Sequence, residues 1–332
     1  MAGGQYTFRD DTPVQILNSA YQDLKGGQLS EAIEALERVL EVDVDYPGVA
    51  SALKSATFWK ERLDKDRAPR DDLERGELLL AQWRVFQAFY ERLGDVPERC
   101  LFALKQHVFS VALASYLAAA GETEPGDPDV LLQVGRCFKA IGNYERALET
   151  LEKAHEARRE DARILAELAD CYSLVNESRS AKVFLREAFF VDPQAIDLGG
   201  LESPLVVRLA DRVRALGHSP PQLAEWMPVY GAIWGVFNVK RELKPVELGK
   251  LKQAIYQMER DLSGESSPSE LAAGRLEASA MPARSILVPR LINRYFWLID
   301  HYVSAGESRQ RIDEVLAKIR ALDPQVHRAY TS

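Results

Sequence analysis

Three cysteines in 332 residues are too few for a disulfide framework. Cys100, Cys137 and Cys171 also lie too far apart for a structural zinc site, which needs close pairs of Cys or His. Histidine is scarce as well, at five, and none of His107, His155, His218, His301 or His327 stands at a metal-ligand spacing from another His, Cys or carboxylate. Asp300 and His301 are adjacent, but neighbours in a helix point in different directions. There is no Gly-rich phosphate loop and no Gly-x-Ser-x-Gly turn. The sequence therefore offers no catalytic residue, no metal site and no cofactor site. Long apolar runs are missing too. Residues 108–120 are broken by Ser110 and Ser115 and fall short of the roughly 20 apolar residues that span a bilayer. The opening residues lack the basic start and apolar stretch of a signal peptide. A cytoplasmic chain with no integral membrane segment is the expectation.

Positive charge is in deficit: 42 Lys and Arg face 50 Asp and Glu, for a net charge of −8. Phosphate backbones favour a basic surface, so nucleic acid is not an expected partner. The hydrophobic fraction of 46 % and the charged fraction of 28 % are those of a chain that folds around an apolar core.

What the sequence does contain is a repeat. Val134-Gly135-Arg136-Cys137-Phe138 returns as Leu168-Ala169-Asp170-Cys171-Tyr172, and Ala147, Leu151 and Ala154 return as Ala181, Leu185 and Ala188, at a constant offset of 34 residues. Each copy reads as a helix, a short Gly- or Asn-bearing turn (Gly142, Asn176) and a second helix. Gly135 and Ala169 are small where the first helix meets the second, as are Ala147 and Ala181 where the second crosses the first. Phe138 and Tyr172 fill the space between neighbouring helices. Tyr144, Ala147, Leu148, Leu151 and Ala154 follow one helical face. Asp127-Pro128 supplies a cap residue and a Pro at the first helical position. Cys137 and Cys171 share a repeat position, which reads either as a redox pair or as a small packed site where Cys behaves as a small hydrophobe.

This pattern resembles the tetratricopeptide repeat family over residues 128–195, with copies at 128–161 and 162–195. Leu131 and Leu165 replace the family's Trp, and Arg159 stands where Pro is usual. Residues 13–46 fit a further copy through Ile16, Ala20, Gly27, Leu29, Ala32, Leu36 and Val39, opened by a capping box at Thr12 to Gln15. Residues 80–120 (Trp83, Phe86, Tyr90, Gly94) and 292–324 (Tyr295, Leu298, Tyr302, Gly306) keep the first-helix spacing as divergent pairs. The resemblance implies an all-α fold, a right-handed superhelical solenoid of antiparallel helix pairs over residues 1–195. Residues 196–332 form an off-pattern helical region. Helices there begin at Ser203-Pro204, Ser219-Pro220 and Lys244-Pro245, and Pro228 kinks or splits the second. Residues 291–299 are apolar nearly all round and belong under other helices. Residues 263–285, rich in Ser, Ala, Gly and Pro, read as a mobile loop. The charged run at 60–67 reads as a solvated face or connector, and 240–244 is a small basic patch that does not point to nucleic acid.

The resemblance also implies where a partner would lie. The groove-facing positions of the first helices are Asp129, Leu132, Gln133, Arg136 and Lys139 in one copy and Arg163, Ala166, Glu167, Asp170 and Ser173 in the next. Val14, Leu17, Asn18, Tyr21 and Leu24 are their counterparts in the copy at 13–46. Mixed signs do not make the clamp with which chaperone-tail readers of the family hold a C-terminal carboxylate. They suit an extended peptide or partner helix with alternating charges, or they pair with one another and solvate the groove. The expectation is a non-enzymatic scaffold or adaptor with a protein or peptide partner and an open oligomeric state. The alternative is a helical regulatory protein with a small apolar ligand in a pocket of region 197–300 around Trp226, Tyr230, Trp234 and Trp297.

Overall fold

A computed structural model describes residues 12–65, 71–95, 97–122, 126–237, 242–264 and 284–332. The described residues form fifteen α-helices and one short 3₁₀ turn. They group into two compact units, 1–157 and 158–332. The packing boundary falls between the two clearest repeat copies.

The first unit opens with α1 (Pro13–Gly26) and α2 (Leu29–Val42). The Thr12 backbone N–H donates to Gln15 Oε1 at 2.9 Å, closing the start of α1. Gly27 adopts φ 84° to end it, a conformation that costs a residue with a Cβ. Ala20, Leu29, Ala32, Leu36 and Val39 are buried, as the repeat register requires. Next come α3 (Val49–Lys65), α4 (Asp72–Tyr90) and α5 (Glu98–Glu122). Trp59 of α3 stacks on Trp83 of α4 at 5.9 Å, and Phe109 of α5 meets Trp83 edge-on at 5.2 Å. The aromatics of 80–120 thus close a core shared by three helices. The charged run at 60–67 lies partly outside the described residues.

Helix α5 packs on α4 and also on α1. Arg99 of α5 lies over the Tyr21 ring at 5.4 Å, and Leu17, Tyr21 and Leu24 are buried. The groove positions expected on α1 are therefore covered, apart from exposed Val14 and Asn18. Residues Glu98–Ala119 of α5 are long and apolar enough to cross a membrane, with half of the most apolar stretch buried. Sequence reading missed this because Glu98, Arg99, Lys105 and His107 break the run. The burial against α1, α4 and α6 is that of a core helix. The unit ends with the hairpin of α6 (Pro128–Ala140) and α7 (Tyr144–Ala157). Asp127 accepts the Asp129 N–H at 2.9 Å, with Pro128 at the first helical position.

The second unit opens with the matching hairpin of α8 (Ala162–Leu174) and α9 (Ser178–Val191), followed by the 3₁₀ turn Pro193–Ala195. Ala169, Ala181, Leu185 and Ala188 are buried. Asn176 takes φ 66° in the turn, where the preceding copy has Gly142 at φ 82°. Asn is among the few side chains that tolerate this region. Then follow α10 (Pro204–Ala215), α11 (Gln222–Ile233), α12 (Pro245–Ser263), α13 (Arg284–Ser304), α14 (Arg309–Leu322) and α15 (Pro324–Thr331). Helix α11 is not split at Pro228: it runs on to Ile233 with the ring buried. In α13 the face from Leu291 to Tyr302 is buried almost throughout, between α11, α12 and α14. Apart from Ser263, Gly264, Arg284 and Ser285, the 263–285 segment lies outside the described residues, as do Lys240 and Arg241 of the basic patch.

Candidate functional site

The expected groove residues differ sharply in what they present. On α6, Asp129 is exposed, Gln133 and Arg136 are half-buried, and Lys139 is buried. Their spacing puts Asp129, Gln133 and Arg136 along one helical face, and Arg136 Nη1 lies 3.5 Å from Gln133 Oε1. Leu132 is fully buried and contributes to the core.

On α8 the polar positions are committed inside the fold. Asp161 caps the helix by accepting the Arg163 N–H at 2.9 Å. Arg163 turns back on that cap, with Nη2 2.6 Å from Asp161 Oδ2 and Nε 3.1 Å from Oδ1. Arg158 adds a contact at 3.2 Å. Burial pushes the Asp161 carboxyl up, but the bonds from Arg163 and Arg158 outweigh it and hold the group at about 2. Asp170 is completely buried. It accepts the backbone N–H groups of Glu202 at 2.9 Å and Ser203 at 2.7 Å, joining the second repeat to the start of α10. Glu167 is buried as well. A buried carboxylate needs donors, and on Asp170 backbone amides fill that need. No local pattern signals this, because the donors lie more than thirty residues on.

The four aromatics of the alternative pocket differ in their surroundings. Trp226, Tyr230 and Trp234 make a half-buried ladder along α11, with centroids 5.6 and 5.0 Å apart. His218 stacks on Trp226 at 4.7 Å, and the Arg212 guanidinium covers Trp234 at 3.8 Å. Trp297 is only 2 % exposed. It packs on Phe190 at 4.4 Å and lies under Arg186 at 4.3 Å. The structure does not support the pocket reading: the stripe on α11 is a half-buried, self-stacked ladder, and Trp297 is core.

Two buried charge pairs brace the second unit. Arg186 of α9 bonds Asp300 of α13, and Arg290 of α13 clasps fully buried Glu225 of α11. Gln194 adds a donor to Glu225 at 2.9 Å. All three cysteines are buried, and burial pushes the Cys100 and Cys137 thiols up to about 12. Among the described residues no group of three or more His, Cys, Asp or Glu is arranged to hold a metal ion.

Residues 111–166 and 140–202 match the tetratricopeptide repeat family model. No curated protein matches the chain. A solved structure described as MamA MSR-1 C2 is 17 % identical, covering 54 % of this chain and 96 % of that one, with a TM-score of 0.26. The buried small residues at Gly135, Ala147, Ala169 and Ala181 coincide with the matched segment. Residues 111–202 are thus similar to tetratricopeptide repeats.

Proposed function

We propose that the chain is a non-enzymatic scaffold that holds an extended peptide or partner helix against the first helices of its repeats. The observation that supports this is the polar stripe on α6: exposed Asp129 and half-buried Gln133 and Arg136 lie on one face of a helix that is otherwise mostly buried. Helix hairpins that fix such a stripe offer a rigid polar surface for a partner at little ordering cost. Asp129 and Arg136 are the residues proposed to meet it. Arg163, Glu167 and Asp170 serve the fold of the second hairpin first, and Lys139 is buried in α6.

Affinity capture with the full chain tests this reading, with Asp129→Arg/Arg136→Glu as the control. The wild type should recover a stoichiometric partner and the double variant should lose it with an unchanged thermal melt. Equal recovery by both proteins moves the interface away from α6. A robust turnover activity with no partner at all sinks the scaffold reading.

A further inference from the structure

Resting on the scaffold reading, we infer that the cleft between the α8–α9 turn and α10 binds an extended acidic peptide of a partner protein, one that alternates carboxylates with apolar side chains. The cleft has a volume of about 500 Å³, within the range of pockets that hold ligands. Lys182 of α9 and Arg208 and Arg212 of α10 line it, and no carboxylate does, although acidic residues outnumber basic ones in the chain. Arg208 and Arg212 are four residues apart, on one face of α10, where like charges repel.

None of the three cations has an ion-pair partner among the described residues. Arg208 Nε donates to the Pro204 carbonyl of its own helix at 3.1 Å. The Arg212 guanidinium lies over the Trp234 ring at 3.8 Å, a contact that steadies the group and leaves its charge without a counter-ion. The aromatic ladder thus acquires a role as the support that keeps Arg212 at the cleft. Three unneutralised cations around one concavity are an electrostatic cost that an anionic ligand relieves.

The remaining walls select the class of anion. Leu205 and Val236 lie beside the cations, and Ser173 supplies a hydroxyl. A lone inorganic anion would leave the apolar surface wet. A nucleic acid would find no open aromatic face on Trp234, which is already engaged by Tyr230 and Arg212. A peptide with carboxylates for the cations and short apolar side chains for Leu205 and Val236 satisfies both surfaces.

The probe is a short fluorescent peptide of alternating Glu and Leu, blocked at both ends, titrated against the full chain by anisotropy. Saturable binding is expected. It should weaken as ionic strength rises from about 0.01 M to about 1 M, which shortens the screening length from about 30 Å to about 3 Å. Lys182→Glu/Arg208→Glu should weaken it by about ten-fold or more. The neutral pair Lys182→Met/Arg208→Gln should show a smaller loss in the same direction at an unchanged melting temperature. Equal affinity for the Gln-Leu counterpart overturns the inference. So does retained binding in both variants, or tighter cleft-dependent binding of a single-stranded oligonucleotide or of anionic vesicles. If the peptide fails while Asp129→Arg/Arg136→Glu still loses its captured partner, the scaffold reading stands and this inference falls.

Discussion

At the scale of single residues, the two readings of the shared cysteine position separate cleanly. Cys137 and Cys171 are both buried, and a thiolate in an apolar site is costly. Folded protein should leave all three thiols unlabelled by a maleimide at neutral pH, with full labelling after denaturation. Fast labelling of Cys137 and Cys171 in the folded state would restore the redox reading. Asp161 carries a different kind of prediction. Its carboxyl sits at about 2 when folded, against an ordinary 3.8, so its charge stabilises the fold fully above the unfolded value. That contribution falls away as pH drops through the folded value. Asp161→Ala should cost about 0.5–2 kcal/mol at pH 7, the usual worth of a lost cap. The gap between variant and parent in urea melts should then narrow as pH falls from about 4 to about 2. A gap that does not change with pH would show that the Arg158–Asp161–Arg163 network carries none of it.

At the scale of elements, the helix hairpins were readable because each depends on local pattern. Asp127-Pro128 and Ser203-Pro204 mark helix starts, and Gly142 and Asn176 mark turns, all within a few residues of the feature they specify. The crossing of α6 and α7 is equally local, and it can be tested. A Cβ on Gly135 would lie 2.6 Å from Leu151 Cγ. Alanine favours helices over glycine by about 1 kcal/mol, yet overpacking a tight contact costs about 1–3 kcal/mol. Gly135→Ala should therefore destabilise the protein despite its better helix propensity. In the Leu151→Ala background the same change should become neutral or stabilising. A stabilising Gly135→Ala on its own would mean that the two helices are not in this register. Pro228 was harder to read. Its missing N–H disturbs one turn, but the flanking buried residues of α11 hold the helix together across it.

At the scale of the whole molecule, each unit is held by its own core, and the second also by charge pairs that link helices distant in sequence. Arg186 and Asp300 are almost fully enclosed and 114 residues apart in the chain. Removing one partner strands the other charge, so Asp300→Ala should cost about 3–5 kcal/mol, while Arg186→Met/Asp300→Leu should recover most of it. Additive losses in the double variant, read by chemical denaturation, would deny the pairing. The sequence alone determined the all-α class, the 34-residue register and most helix starts, because these follow from periodicity and capping over short distances. The family resemblance also marked the polar positions of the first helices. Tertiary structure alone decided which of them remain available. Asp170 came to hold the backbone just before α10, Arg163 folded onto Asp161, α5 covered the face of α1, and Trp297 went into the core. Burial and hydrogen-bond partners of that kind are set by residues tens of positions away, and no local pattern encodes them.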